Sequence, residues 1–106
     1  IAPSKDSEGC MQDVHWFGGT IGGAFQGYTL GNILSAQFFE EARKALPGIH
    51  DDMRRGSFAG LHGWLRENIY RHGSKFTAPE LIERVTGRGL DIGPYIRYLR
   101  EKYGKL

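Results

Sequence analysis

The chain has one cysteine, Cys10, which excludes an internal disulfide framework and any multi-cysteine zinc finger. It contains no HExxH pair, so the helical two-histidine zinc clamp is missing, although four histidines are present: His15, His50, His62 and His72. It also lacks any alternating polar and apolar run of useful length, which leaves no strand to predict. Charge of one sign is lacking too. Fourteen Lys and Arg against 12 Asp and Glu give a net charge of +2, too weak to argue for nucleic acid. From Lys75 onward basic and acidic residues alternate in sign, as on ordinary helix surfaces.

Charge of either sign is absent from Val14 to Phe39, a run of 26 residues. Such a run raises the possibility of a membrane span. His15, Gln26, Asn32, Ser35 and Gln37 lie inside it, six glycines crowd between Gly18 and Gly31, and no basic cluster flanks it, so no membrane span is expected. Gly19, Gly23, Gly27 and Gly31 recur every four residues, a spacing that lets elements approach closely. A helix without a charged face belongs inside a large protein. A chain of 106 residues buries only part of its surface, so this segment expects partners that the chain does not contain. With no initiator methionine and no basic-then-apolar leader, the sequence reads as a fragment.

What is present is helical, and the fold class expected is all-α. Residues 1–8 read as a loop or linker, 9–46 as a motif followed by a buried helical segment, and 57–106 as C-terminal helices. A first long helix is predicted over Leu30 to Leu46, stopped by Pro47-Gly48, with Glu40 and Lys44 as an i,i+4 pair. The stretch after Pro47-Gly48 reads as a solvated turn, although His50-Asp51-Asp52 with His62 forms a metal site on paper. A second helix fits Ser57 to His72, with Ser57 as N-cap, a stripe of Phe58, Leu61, Leu65 and Ile69, and a cationic His72 complementing the helix dipole. Thr77-Ala78-Pro79-Glu80 is a capping box opening a third helix that buries Leu81, Ile82 and Val85 and stops at Gly87. A fourth starts near Asp91, with Ile92, Tyr95, Ile96, Leu99 and Tyr103 at helical period.

One cluster stands apart. Gly9-Cys10-Met11-Gln12-Asp13-Val14-His15-Trp16 packs an amide, a carboxylate, an imidazole and an indole into five positions at the edge of the uncharged run. Two readings are open on physical grounds: a hydrogen-bonded helix start with His15 satisfied in the core, or a functional cluster, because such groups are costly to desolvate unless paired. A Cys10/His15 pair is weak evidence for a thiol nucleophile.

The pattern Gly9-x-x-Gln12-Asp13-x-His15-Trp16 resembles the GxxQDxHW motif of the carboxypeptidase Taq family, the M32 metallocarboxypeptidases. Tyr28-Thr29-Leu30-Gly31-Asn32 with Ala36-Gln37, Trp64-Leu65-Arg66-Glu67-Asn68-Ile69 with His72-Gly73, and the tail from Val85-Thr86-Gly87 to Tyr103 are similar to the same family. Phe25-Gln26-Gly27-Tyr28 departs from the Phe-Pro that the family often places ahead of the tyrosine. The resemblance implies the C-terminal fifth of an α-helical, HExxH zincin-type enzyme, usually a homodimer, expected in the cytoplasm. Such an enzyme releases single residues from peptide C-termini with broad specificity. Its zinc, or cobalt, would be held by residues outside this chain, with none bound here. His15 would donate to the substrate or its oxyanion, with Tyr28 as phenol partner by analogy. Gln12 would line the substrate groove and Asp13 would orient the imidazole or cap a helix. The partners implied are the peptide substrate and the N-terminal remainder. The segment alone would be inactive. The alternative is a non-catalytic helical interaction module, supported by the apolar surface that a lone chain would expose.

Overall fold

The computed structural model describes residues 2–19 and 22–104. Among them every regular element is helical: 3-10 turns at Asp6–Glu8, Cys10–Gln12, Val14–Trp16 and Tyr70–His72, and α-helices α1 (Phe25–Ala45), α2 (Ile49–Arg54), α3 (Ala59–Asn68), α4 (Ala78–Thr86) and α5 (Gly93–Tyr103). The contacts divide into two units that meet in sequence at Asn32–Ile33, inside α1.

In the first unit the segment read as a loop, 1–8, holds a 3-10 turn, and the motif that follows is two more 3-10 turns instead of the start of a helix. The chain then returns to open α1 at Phe25, five residues before the predicted Leu30. Gly27 and Gly31 each cost about 1 kcal/mol of helix propensity, and tertiary contacts override them. The Ala24 N–H donates to the His15 carbonyl at 2.8 Å, and the Gln26 side chain donates to the Gly23 carbonyl at 2.7 Å. Gly23 is buried with φ +102°, and a Cβ there would lie 2.6 Å from the His15 oxygen and 2.8 Å from the Trp16 oxygen. No side chain fits. At Gly27 and Gly31 an added Cβ meets nothing within 4 Å, so of the four evenly spaced glycines only Gly23 is in tight contact with this chain.

The second unit has a small apolar core of Ile33, Ala42, Ile49 and Ile82 around a polar centre. Gln37 is 0% exposed. Its Nε2 donates to the Gly89 carbonyl at 2.9 Å and its Oε1 accepts from the Asp91 N–H at 3.0 Å, which ties α1 to the α4–α5 connection. Glu40 pairs with Arg88 at 2.9 Å and Arg97 at 2.6 Å, so Lys44 turns to Glu41 at 2.7 Å in place of the expected Glu40. Partial burial works to raise the Glu40 carboxyl, but the Arg97 hydrogen bond and the charges of Arg97, Lys44 and Arg88 outweigh it and hold it below its ordinary range.

Three further expectations are corrected. The stretch after Pro47-Gly48 is α2, with Asp51 and Asp52 favourably placed in its first turn. The second helix is shorter than Ser57–His72 at both ends. Ser57 closes a turn through Asp52, Phe58 is the N-cap, and the Asn68 amide bonds back to the Trp64 carbonyl at 2.8 Å before the chain tightens to 3-10 at Tyr70. Its stripe is half-buried at Leu61, Leu65 and Ile69 and exposed at Phe58. The last helix starts at Gly93, where Asp91 Oδ1 accepts the Gly93 N–H at 2.8 Å; Ile92 and Tyr103 are exposed.

The third helix is α4 as the sequence indicates. Glu80 accepts from the Thr77 N–H at 2.8 Å and hydroxyl at 2.7 Å, Ile82 is buried, and Gly87 ends the helix at φ +69°. Of the uncharged run, Gly23, Ile33 and Gln37 are the buried members among the described residues, while Val14, Trp16, Phe17, Phe25, Tyr28 and Leu30 stay exposed. Among the described residues no helix is long and apolar enough to cross a membrane.

Two predictions follow from these contacts, both read from thermal melts of the 106-residue chain. Gly27→Ala and Gly31→Ala each raise stability by up to about 1 kcal/mol, whereas Gly23→Ala lowers it; a stabilising Gly23→Ala contradicts the tight contact. Gln37→Leu leaves the Gly89 carbonyl and the Asp91 N–H without their partner and lowers stability by about 2 kcal/mol; an unchanged melt contradicts the polar centre.

Candidate functional site

Asp13, His15 and Tyr28 meet in the first unit. Asp13 is the N-cap of the Val14–Trp16 turn, and its Oδ1 accepts from the His15 backbone N–H at 3.0 Å. The same oxygen lies 2.6 Å from His15 Nδ1. Capping a turn and orienting an imidazole, offered as alternatives by the sequence, are thus done by one atom. The Asp-x-His spacing suffices for it, because a capped 3-10 turn brings residue i+2 back over residue i.

On the far side of the ring, His15 Nε2 lies 3.1 Å from the Tyr28 hydroxyl. A carboxylate only accepts, so Nδ1 carries a proton. In the neutral ring Nε2 then accepts from Tyr28; in the imidazolium Nε2–H donates and the phenol O–H is released for another acceptor. Both groups are within reach of solvent, His15 with its side chain 40% exposed and Tyr28 59% exposed. An imidazolium and a phenol converging at one accessible point can present two donors to a single anionic oxygen.

The backbone N–H of His15, then its ring, hold the Asp13 carboxyl below its ordinary range against a small opposing effect of burial. Gln12 stands apart from these three, its side-chain amide donated to the Ser7 carbonyl. Cys10 is exposed, and the imidazole of His15 faces Asp13 and Tyr28. A helix starting at Leu30 leaves Phe25 outside it, whereas in the structure Phe25 is the first residue of α1. Its ring packs on Trp16, with centroids 4.7 Å apart, and on His15, 5.4 Å away. The usable signal was the Phe25/Tyr28 spacing of three, which shares a face once α1 is extended.

Among the described residues no three His, Cys, Asp or Glu side chains converge as a metal would require. His50 packs its ring edge-on to Phe39 in the second unit, with centroids 5.8 Å apart. His72, expected to be cationic, has its basicity lowered by partial burial and then by the charges of Arg71, Arg84 and Lys75, with Glu67 opposing.

A depressed carboxyl has a definite sign. Asp13 stabilises the folded turn above the unfolded-state value, and that contribution is lost as pH falls through the lower folded value. Carboxyl NMR titration of the chain should therefore place the Asp13 midpoint below about 3.9, the ordinary aspartate value. A midpoint at or above that value contradicts the double hydrogen bond.

The profile of the carboxypeptidase Taq (M32) metallopeptidases matches residues 1–103. The chain is 42% identical over 106 residues to thermostable carboxypeptidase 1 of Thermus thermophilus, covering all of this chain and 21% of that protein. To carboxypeptidase 1 of Bacillus subtilis it is 37% identical, again over all of this chain and 21% of the relative. The crystal structure of the M32 carboxypeptidase from Deinococcus radiodurans R1 matches with a TM-score of 0.85 and 57% identity, over 99% of this chain and 21% of that one. The chain therefore spans about a fifth of the length of the curated relatives it matches. It belongs to the carboxypeptidase Taq (M32) family of metallopeptidases.

Proposed function

We propose that this chain is the C-terminal segment of a metallocarboxypeptidase and supplies its oxyanion-stabilising side chains. The observation that carries the reading is His15 held between Asp13 and Tyr28 at 2.6 and 3.1 Å. The complete enzyme removes single residues from peptide C-termini with broad specificity, and works as a cytoplasmic homodimer. Its zinc, or cobalt, is held by residues outside these 106, and when bound it activates water and polarises the scissile carbonyl. The roles proposed for this chain are toward the substrate.

Attack on the scissile carbonyl concentrates negative charge on its oxygen. Donors placed beforehand stabilise that charge without reorganising during the reaction. Asp13 holds the Nδ1 proton, and it is the doubly protonated ring, the imidazolium, that presents Nε2–H outward as a donor. Tyr28, released from its bond to Nε2, turns its O–H to the same oxygen. Gln12 lines the groove, its amide tied to the Ser7 backbone. The exposed Met11, Val14, Trp16 and Phe17 are covered by the N-terminal remainder, the partner that the uncharged run requires.

The same exposed residues favour the second reading, a helical module that docks on another protein without chemistry of its own. Kinetics separate the two. In the complete enzyme His15→Ala lowers turnover about 10²–10³-fold, the usual cost of one oxyanion donor. Turnover within about threefold of wild type overturns the assignment. The 106-residue chain alone is expected to show neither peptidase activity nor stoichiometric zinc by metal analysis; tight zinc binding through His50 and His62 contradicts that part.

A further inference from the structure

Phe25 opens α1, and its ring, partly exposed, packs at the aromatic cluster of the first unit. Its centroid lies 4.7 Å from Trp16, 5.4 Å from His15 and 6.1 Å from Tyr28, with interplanar angles of 57°, 37° and 45°. It carries no donor, acceptor or titrating group, so it takes no part in the chemistry itself. It lies three residues before Tyr28 on one helix face, and it touches both of the rings whose aim matters.

The bond between His15 and Tyr28 joins two partly exposed groups, and water competes for both ends. It is also the bond that gives way when an oxyanion takes the two donors. During that exchange the imidazole keeps Asp13 at Nδ1, while the phenol is fixed through its helix. Among the described residues Phe25 lies by both rings and has no hydrogen bond to either to give up. We propose that Phe25 is a positioning residue that holds the His15 imidazole and the Tyr28 phenol at fixed separation and aim while their mutual hydrogen bond is exchanged for substrate. This rests on the reading of His15 and Tyr28 as oxyanion donors.

The test is steady-state kinetics on the complete enzyme carrying Phe25→Ala, Phe25→Leu or Phe25→Tyr, each alone and combined with His15→Ala. Phe25→Ala is expected to lower kcat about 10–100-fold with KM changed less than about threefold, because misaimed donors weaken the transition state more than the ground state. Phe25→Tyr, which keeps the ring, stays within about threefold of wild type. In the His15→Ala background Phe25→Ala costs clearly less than it does in the wild type, since the part of its effect that passes through His15 is already lost. An unchanged kcat for Phe25→Ala overturns the proposal, and so does a full extra loss on top of His15→Ala. Should Phe25→Ala fail to fold, Phe25→Leu keeps the apolar bulk and decides by the same cycle. If His15→Ala itself leaves kcat unchanged, the oxyanion reading fails, and the Phe25 proposal falls with it by a distinguishable result.

Discussion

A side chain at position 23 would have to share space with the carbonyl oxygens of His15 and Trp16. Because glycine stands there, the chain closes onto its own 3-10 turn, and the Ala24 N–H reaches the His15 carbonyl. Helix α1 therefore begins at Phe25 against the turn that carries the motif. One and a half turns later would be too far along the axis; Tyr28, three residues in, is near enough to meet the imidazole. The backbone contact at Gly23 thus comes first, and the His15–Tyr28 geometry and the Phe25 packing are its consequences.

The second unit answers a different problem. Its core has few large apolar side chains, and a polar group does much of the locating. Gln37 satisfies two backbone groups of the α4–α5 connection that would otherwise be left without partners. Glu40, one turn further along α1, collects two arginines from the same region. These contacts specify register in a way that a small hydrophobic cluster does not, since each hydrogen bond has one direction and one partner.

Local chemistry made α4, and the existence of α5 though not its first residue, legible in the sequence. A capping box, a terminal glycine and a 3.6-residue apolar period are all written within a few residues of where they act. Asp13 and His15 were legible for the same reason, two positions apart on a capped turn. The start of α1 was not, because glycine propensity argued against a helix that only a contact ten residues upstream makes favourable. Gln37 and Glu40 were hidden for a related reason: their partners lie about fifty residues away, and nothing at positions 37 or 40 announces them. At His72 a position in the last turn suggests a cation, but partial burial first, and then the charges of Arg71, Arg84 and Lys75, lower its basicity, and burial and Arg84 depend on the fold.

As donors to an oxyanion, His15 and Tyr28 would turn from each other to one oxygen of the reacting carbonyl. A crystal structure of the complete enzyme with a phosphinic peptide, whose tetrahedral phosphinate imitates that oxygen, tests it directly. His15 Nε2 and the Tyr28 hydroxyl should then both lie about 2.7–3.1 Å from the same phosphinate oxygen. Finding the two still bonded to each other, with the phosphinate bound elsewhere, would contradict it.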